Sequence, residues 1–276
     1  MLRRAAVAGS WYPSAPARLK AAVEEHLRVA DEAAVTSDDA TGELIALVSP
    51  HAGLVYSGPV AAYGYRLLRQ RPLDLIVLVG PSHYVPFKGV SIWPRGAFET
   101  PFGALRIDET AAQELIDACP VVRALPEAHG REHSLEMQLP FLALLAGDVP
   151  ILPLVMGQQT RETAFTLGNA LADLARTRRA VLVASSDLTH FLDARTAAQL
   201  DAIVVQEIEE VDADGLMTAL ERRPDHACGG GPIVSVLRAA TLAGATRGEA
   251  LRYADSGDVS GDKSSVVGYL SAAIWK

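Results

Sequence analysis

Ala180–His190 reads AVLVASSDLTH, and the chain uses the same design twice before it. Glu43–His51 is ELIALVSPH and Leu73–His83 is LDLIVLVGPSH. Each is a short apolar run rich in branched side chains that breaks into Ser, Pro or Gly and then presents a histidine. Unalternated runs of this kind suit strands covered on both faces, as in a sheet between two layers of helices. In such a sheet, ligands bind beyond the carboxyl ends of the strands. The three runs predict one site over one sheet, with His51, His83 and His190 arriving from three separate strands.

The segments between them fit that plan. Pro16 to about Val29 predicts a helix with Leu19, Val23 and Leu27 on one face, followed by an exposed acidic loop over Asp31–Gly42. Tyr56–Arg69 predicts a helix that connects the first two histidine strands, with proline in its first turn. Gly89–Trp93 reads as a strand, Phe98–Gly103 (FETPFG) as a loop, and Leu105–Ile107 as a brief strand before an Asp108-led helix to about Ala118. Ser134 is placed to cap a helix that Pro140 kinks or restarts. Pro150–Met156 reads as a strand whose prolines suit its start or a sheet edge. Thr160–Arg176, Arg195–Glu210 and Asp212–Arg222 predict amphipathic helices, Ile233–Leu242 an apolar one, and Leu251–Ala254 and Ser265–Trp275 the last strands. No linker or internal repeat interrupts the pattern. The expectation is a single α/β/α domain over residues 1–276 with a mostly parallel or mixed sheet.

Composition narrows the class. With 276 residues, 49% of them hydrophobic, the chain can bury one large core. Its formal charge of −8, without a block of Lys or Arg, argues against a nucleic-acid or anionic-membrane surface. No apolar run is long enough to span a bilayer, and the N-terminus lacks a secretory pattern. The two cysteines, Cys119 and Cys228, lie in unlike surroundings, which fits a reducing cytoplasm better than a structural disulfide. Cys119, just before Pro120, reads as a small buried hydrophobe.

Imidazole is both the commonest metal ligand and a usable acid or base near neutrality, so three histidines at strand ends point to metal binding, proton transfer or both. Asp187, three residues before His190, can orient that ring or ligate a metal itself; local capping of the strand end by Ser185, Ser186 and Asp187 is the competing account. Cys228 lies in HACGGGP (His226–Pro232), where consecutive amides and a following helix start favour a thiolate. The competing account is a compact glycine turn around a buried thiol. Glu132 and His133 form a further pair, either supporting a ligand histidine and meeting substrate or serving as charges at a helix start. Trp11 and Tyr12 either pack over the first helix or rim the pocket, as Tyr56 can. Glu136 is open to solvent or to the site, and His26 and His129 read as surface residues.

These pieces also form a pattern. AGSWYP (Ala8–Pro13), SPHAGLVYSG (Ser49–Gly58), GPSHY (Gly80–Tyr84), EHSLEMQLPFL (Glu132–Leu142), SSDLTH (Ser185–His190) and the CG-x-x-PI run at Cys228–Ile233 resemble, in order and across nearly the whole chain, the Memo-like family. That family is similar in structure to the class III extradiol non-haem iron dioxygenases. The resemblance implies a three-layer domain with His51, His83 and Cys228 as ligands to iron or copper, zinc remaining open. It places His190 at the acid/base position with Asp187 beside it; His133, from the residues alone, is a further catalytic candidate at the substrate's rim. The dioxygenases use two histidines and a carboxylate, whereas Cys228 is a softer ligand that shifts preference toward copper, zinc or a differently tuned iron and away from ring cleavage. Family members commonly carry arginine where this chain has Gly230. Family members are also associated with a radical S-adenosylmethionine protein, which makes such a system a candidate partner.

The function expected on these grounds is a metal-binding redox protein, an oxygenase of a small molecule or peptide with His190 moving a proton. A zinc-dependent hydrolase and a non-enzymatic metal-carrying or peptide-binding module are the alternatives. A homo-oligomer is compatible with the sequence, and no motif selects it.

Overall fold

A computed structural model describes residues 1–34 and 42–276. Its strands, in chain order, are β1 (Leu2–Arg3), β2 (Leu44–Ser49), β3 (Leu75–Pro81), β4 (Val90–Ile92), β5 (Ala97–Thr100) and β6 (Gly103–Arg106). The second half adds β7 (Val122–Ala124), β8 (Ile151–Met156), β9 (Ala180–Ser185), β10 (His190–Leu192), β11 (Arg247–Asp255) and β12 (Val266–Trp275). Nine of them form the central sheet in the order β10-β12-β2-β9-β3-β8-β4-β7, with β11 also paired to β12. The inner quartet β2, β9, β3 and β8 is parallel, and the antiparallel β12 and β4 flank it, so the sheet is mixed.

The apolar runs bury both faces of these strands. On β3, Leu75, Val77 and Val79 join one core while Ile76 and Leu78 join the other. The first core is closed by the helices Glu109–Ala118, Arg161–Ala175, Ala194–Glu209, Ala213–Arg222 and Gly230–Leu242. The second is closed by Pro16–Ala34, Leu54–Tyr65 and Leu139–Ala146. Each fully buried Leu or Ile contributes about 1.5–3 kcal/mol, which is why the inner strands tolerate no polar alternation. The three-layer α/β arrangement expected from the sequence is therefore present. No helix among the described residues is long and apolar enough to cross a membrane.

Several local expectations change. FETPFG is a β5–β6 hairpin rather than a loop. It extends a small second sheet with β1, and Phe98 is buried in the second core. The strand with Pro153 is interior, between β3 and β4, not an edge. Pro153 lies one position past the last rung of the β4 ladder, Ile92 opposite Leu154; there its carbonyl accepts from the Trp93 N–H at 3.3 Å, and the reciprocal bond is the one that proline forgoes. Ser134 does not cap a helix; its hydroxyl donates to the Pro81 carbonyl at 2.9 Å and ties that segment to the end of β3. Pro140 does restart the chain, in the first turn of Leu139–Ala146 after a short 3₁₀ turn at Glu136–Gln138. The first helix continues to Ala34, and residues 35–41 of the expected acidic loop lie outside the described residues. The last apolar helix starts at Gly230, three residues earlier than its hydrophobic pattern, because glycines supply its first turn.

Candidate metal centre

The parallel strands end on one edge of the sheet, with Ser49 beside Ser185 and Pro81 beside Met156 in register. The chain beyond β2, β3 and β9 consequently delivers His51, His83 and the Asp187–His190 segment to one place. Cys228 comes from the opposite direction, in the turn before the helix Gly230–Leu242. Its N–H donates to the Asp187 carbonyl at 3.2 Å, and the Gly229 N–H donates to the Ser186 hydroxyl at 2.9 Å. A Cβ on Gly229 would lie 2.4 Å from the Ser185 carbonyl oxygen, so only glycine lets this turn press against the end of β9.

The result brings His51, His83 and Cys228 together, with a ligand atom of each within 4.8 Å of the others. The Cys228 Sγ is 3.3 Å from the His51 Nε2. On both histidines the other ring nitrogen is already engaged. The His51 Nδ1 contacts the Ser185 hydroxyl at 2.9 Å, and the His83 Nδ1–H donates to a Glu132 carboxylate oxygen at 2.8 Å. Ligand imidazoles are held by this kind of contact on the nitrogen that faces away from the metal. A second trio, His83, Glu132 and His133, is as compact. Its carboxylate, however, is occupied by the His83 ring, the His83 N–H and the Ser134 N–H, so Glu132 supports His83 instead of facing an ion.

Electrostatics favour a cation here. Burial holds His51 at about 3, with His83 adding to the effect. His133 is also held at about 3, by burial and by the neighbouring His51 and His83. Burial raises Glu132, yet the ring and backbone of His83 and the Ser134 amide outweigh it and hold the carboxyl at about 2. The Cys228 thiol is pushed up by burial and by the Asp187 carboxylate, contrary to the sequence expectation of a thiolate favoured by the helix start. Its ionisation needs a compensating positive charge, which a metal ion provides. Two free imidazole nitrogens and a buried sulfur fit a first-row transition metal.

Beside these ligands lies a cavity of about 500 Å³, bordered by Trp11, Tyr56, His133, Asp187, His190 and Phe191 among others. No Lys or Arg among the described residues lines it. His133 stacks on His83 with ring centres 4.5 Å apart, and Trp11 covers it at 4.3 Å. Tyr12, the other half of the aromatic pair, is buried and donates to Glu136. Glu136 faces neither solvent nor cavity: it is fully buried, pairs with Arg3, and accepts from the Ala6 and Val7 amides. This clamp fixes the N-terminal segment that carries Trp11. Asp187 does not orient His190. Its carboxylate accepts the His51 N–H at 2.7 Å, whereas the His190 Nδ1 is 2.7 Å from the Leu188 carbonyl, which leaves Nε2 as the proton acceptor. Burial raises the Asp187 carboxyl.

His129 is not a surface residue; it is buried with Nε2 3.0 Å from the Ser91 hydroxyl. His26 is half-buried, and Cys119 is the buried hydrophobe expected. Gly230 lines a separate cavity of about 570 Å³ with Arg161, Met217 and Leu220. A Cβ there would meet the branched end of Leu220 at 2.6 Å, so Leu220 occupies space that a side chain at position 230 would need. Two residues of the site were not singled out as such from sequence, Gln138 and Ser185 in its role toward His51. The available signal for Gln138 was one amide inside the apolar run LEMQLPFL.

Fold and site together define a three-layer α/β protein with a His, His, Cys cluster able to hold a metal ion. The chain belongs to the Memo family: the family model described as Memo-like protein matches residues 3–273. A MEMO1 family protein of Methanosarcina mazei is 40% identical over 99% of both chains, and one of Nitrosopumilus maritimus is 35% identical over 98% of both. Among solved structures, an uncharacterized protein of Escherichia coli K12 superposes with a TM-score of 0.61 at 18% identity. It covers 84% of this chain and 100% of its own, and so shares the fold.

Proposed function

We propose that this chain is a metal-dependent redox protein, with iron or copper held by His51, His83 and Cys228, acting on a small molecule in the adjoining cavity. The observation that carries this reading is the convergence of two imidazole nitrogens and one sulfur, each imidazole braced on its opposite nitrogen. The bound metal would supply Lewis-acid and one-electron chemistry toward oxygen and a ligated substrate. The residues of the chain have separate tasks. Trp11 and Tyr56 wall the cavity and limit water. Asp187 holds the His51 backbone in place. The His190 Nε2, free because Nδ1 is committed to Leu188, takes a proton from the substrate and returns it. His133 is neutral; its Nδ1 is buried and lies 3.6 Å from a Glu132 carboxylate oxygen, which leaves Nε2 as the nitrogen that can accept from a substrate hydroxyl. The resemblance to extradiol dioxygenases expected from the sequence motifs would favour oxygen as co-substrate, while the thiol in place of a carboxylate favours a substrate other than a cleaved ring.

The test is anaerobic purification with metal analysis of the wild type, His51→Ala and Cys228→Ala. Stoichiometric iron or copper, lost from both variants, is the expected result. His190→Gln should keep the metal and lose oxygen consumption with any reducing substrate found. Failure of the folded wild type to take up metal under anaerobic reconstitution sinks the reading. Two imidazoles and a thiol are also a donor set that would suit zinc, which would supply water activation here and supports a zinc hydrolase as a second reading. Firm, redox-silent zinc in the native preparation selects it.

A further inference from the structure

The histidines of the cluster are braced differently, His83 by a carboxylate and His51 by a hydroxyl. A carboxylate can only accept, so it settles the His83 tautomer by itself. A hydroxyl both donates and accepts, so it settles nothing unless its own proton is already committed. Around His51 that commitment is made by a chain of buried groups.

The chain begins at the Pro50 carbonyl, which can only accept. It lies 3.0 Å from the Gln138 Nε2, which sets the orientation of that amide; the reverse orientation would put two oxygens face to face. The Tyr65 hydroxyl then donates to the Gln138 Oε1 at 2.7 Å. The second Gln138 N–H donates to the Ser185 oxygen at 2.7 Å. The Ser185 hydroxyl has one proton, and the Ser134 carbonyl, 2.7 Å away, takes it. What remains on the Ser185 oxygen is a lone pair, 2.9 Å from the His51 Nδ1. The Nδ1 must therefore carry the proton, and Nε2 presents its lone pair toward Cys228. Gln138, Ser185 and Ser134 are all fully buried, so no water competes for these bonds.

We infer that Gln138 and Ser185 are positioning residues that lock His51 in the Nδ1–H tautomer and so keep its Nε2 available to a metal ion. The inference deepens the proposed function, since it takes His51 as a ligand. The lock itself is a property of the metal-free protein and is measured there.

The experiment is NMR of the metal-free full chain with ¹⁵N-labelled histidine, using long-range nitrogen–proton correlations that separate the two neutral tautomers. His51→Ala assigns the His51 signals. Wild type should show a single Nδ1–H form at His51. Ser185→Ala removes the acceptor and should yield a mixture or the Nε2–H form, with the His83 pattern unchanged. Gln138→Met frees the Ser185 hydroxyl to turn toward the ring and should give a partial shift; it carries the same readout if Ser185→Ala does not fold. Ferrous iron affinity, measured anaerobically against a competing chelator, should fall about 10- to 100-fold in Ser185→Ala. An Nε2–H form in wild type overturns the lock, as does an unchanged Nδ1–H form in both variants. A wild type that shows the lock but binds no iron supports the inference and removes the iron reading instead.

Discussion

Glu132 grips His83 twice, taking the ring Nδ1–H at 2.8 Å and the backbone N–H at 2.6 Å. The double contact sets both the ring tautomer and the position of the turn after β3. Glu132→Gln keeps the size but removes the charge that makes His83 a stronger donor to a metal. Loss of such a partner typically costs about 10- to 100-fold in metal affinity. We expect that loss in a chelator competition, together with a lower melting temperature of the metal-free protein, because an amide nitrogen cannot accept the ring or backbone N–H that a carboxylate oxygen now takes. Equal affinity in the two proteins would show that Glu132 serves the fold alone.

His51, His83 and His190 are legible in sequence because each follows an unalternated apolar run, and parallel strands must deliver their ends to one edge. Cys228 is visible as the one cysteine among glycines, though its thiol is raised because burial and Asp187 outweigh the helix start. Gln138 and Glu136 are harder to place. They lie inside an apolar run, and their partners Ser185, Pro50, Arg3 and Tyr12 are distant in the chain, so only the fold supplies them. His129 looks like a surface residue for a related reason: its one polar partner on the ring among the described residues, Ser91, comes from strand β4, distant in the chain. The β5–β6 hairpin is hidden by the proline and glycine of FETPFG, whose turn chemistry outweighs their strand-breaking reputation.

Glu136 answers a buried guanidinium. Arg3 and Glu136 are both almost completely inaccessible, and the same carboxylate holds Tyr12 and the Ala6 and Val7 amides. Glu136→Ala leaves Arg3 buried and unpaired, a change that costs about 3–5 kcal/mol. Urea denaturation of the metal-free protein should register it. Trp11 fluorescence should change as well, since the segment carrying Trp11 loses its anchor. A variant within about 1 kcal/mol of wild type would mean that Arg3 reaches water through another route.

Gly229 is where the thiol-bearing turn meets β9. The absent Cβ would sit 2.4 Å from the Ser185 carbonyl and 2.8 Å from the Ser186 Cβ, and backbone at that point cannot yield cheaply. Gly229→Ala should destabilise by about 1–3 kcal/mol, as overpacked sites do. It should also lower metal uptake by moving Cys228 away from His51. Gly130→Ala is the control, with nothing within 4 Å of its added carbon, and should stay within about 0.5 kcal/mol of wild type. Normal metal content in Gly229→Ala would detach the turn from the centre.

His129 makes stability fall in acid. Its ring is buried, and burial, with help from Arg3, holds its pKa at about 3. An unfolded histidine takes up a proton near pH 6.5. Between pH 6.5 and about 3 the unfolded chain thus binds one proton more at this residue, and folding loses about 1.4 kcal/mol per pH unit from it. The contribution is fully present above pH 6.5 and declines as the pH drops. His129→Phe removes the site of uptake and should flatten the acid limb of a stability-against-pH curve by about one proton, whatever its effect at neutral pH. Denaturant titrations of both proteins from pH 7 down to pH 4.5, with chelator present to exclude metal effects, measure the two slopes directly. Parallel slopes would place the acid sensitivity in the buried histidines of the centre, His51 and His133, whose rings are held as low.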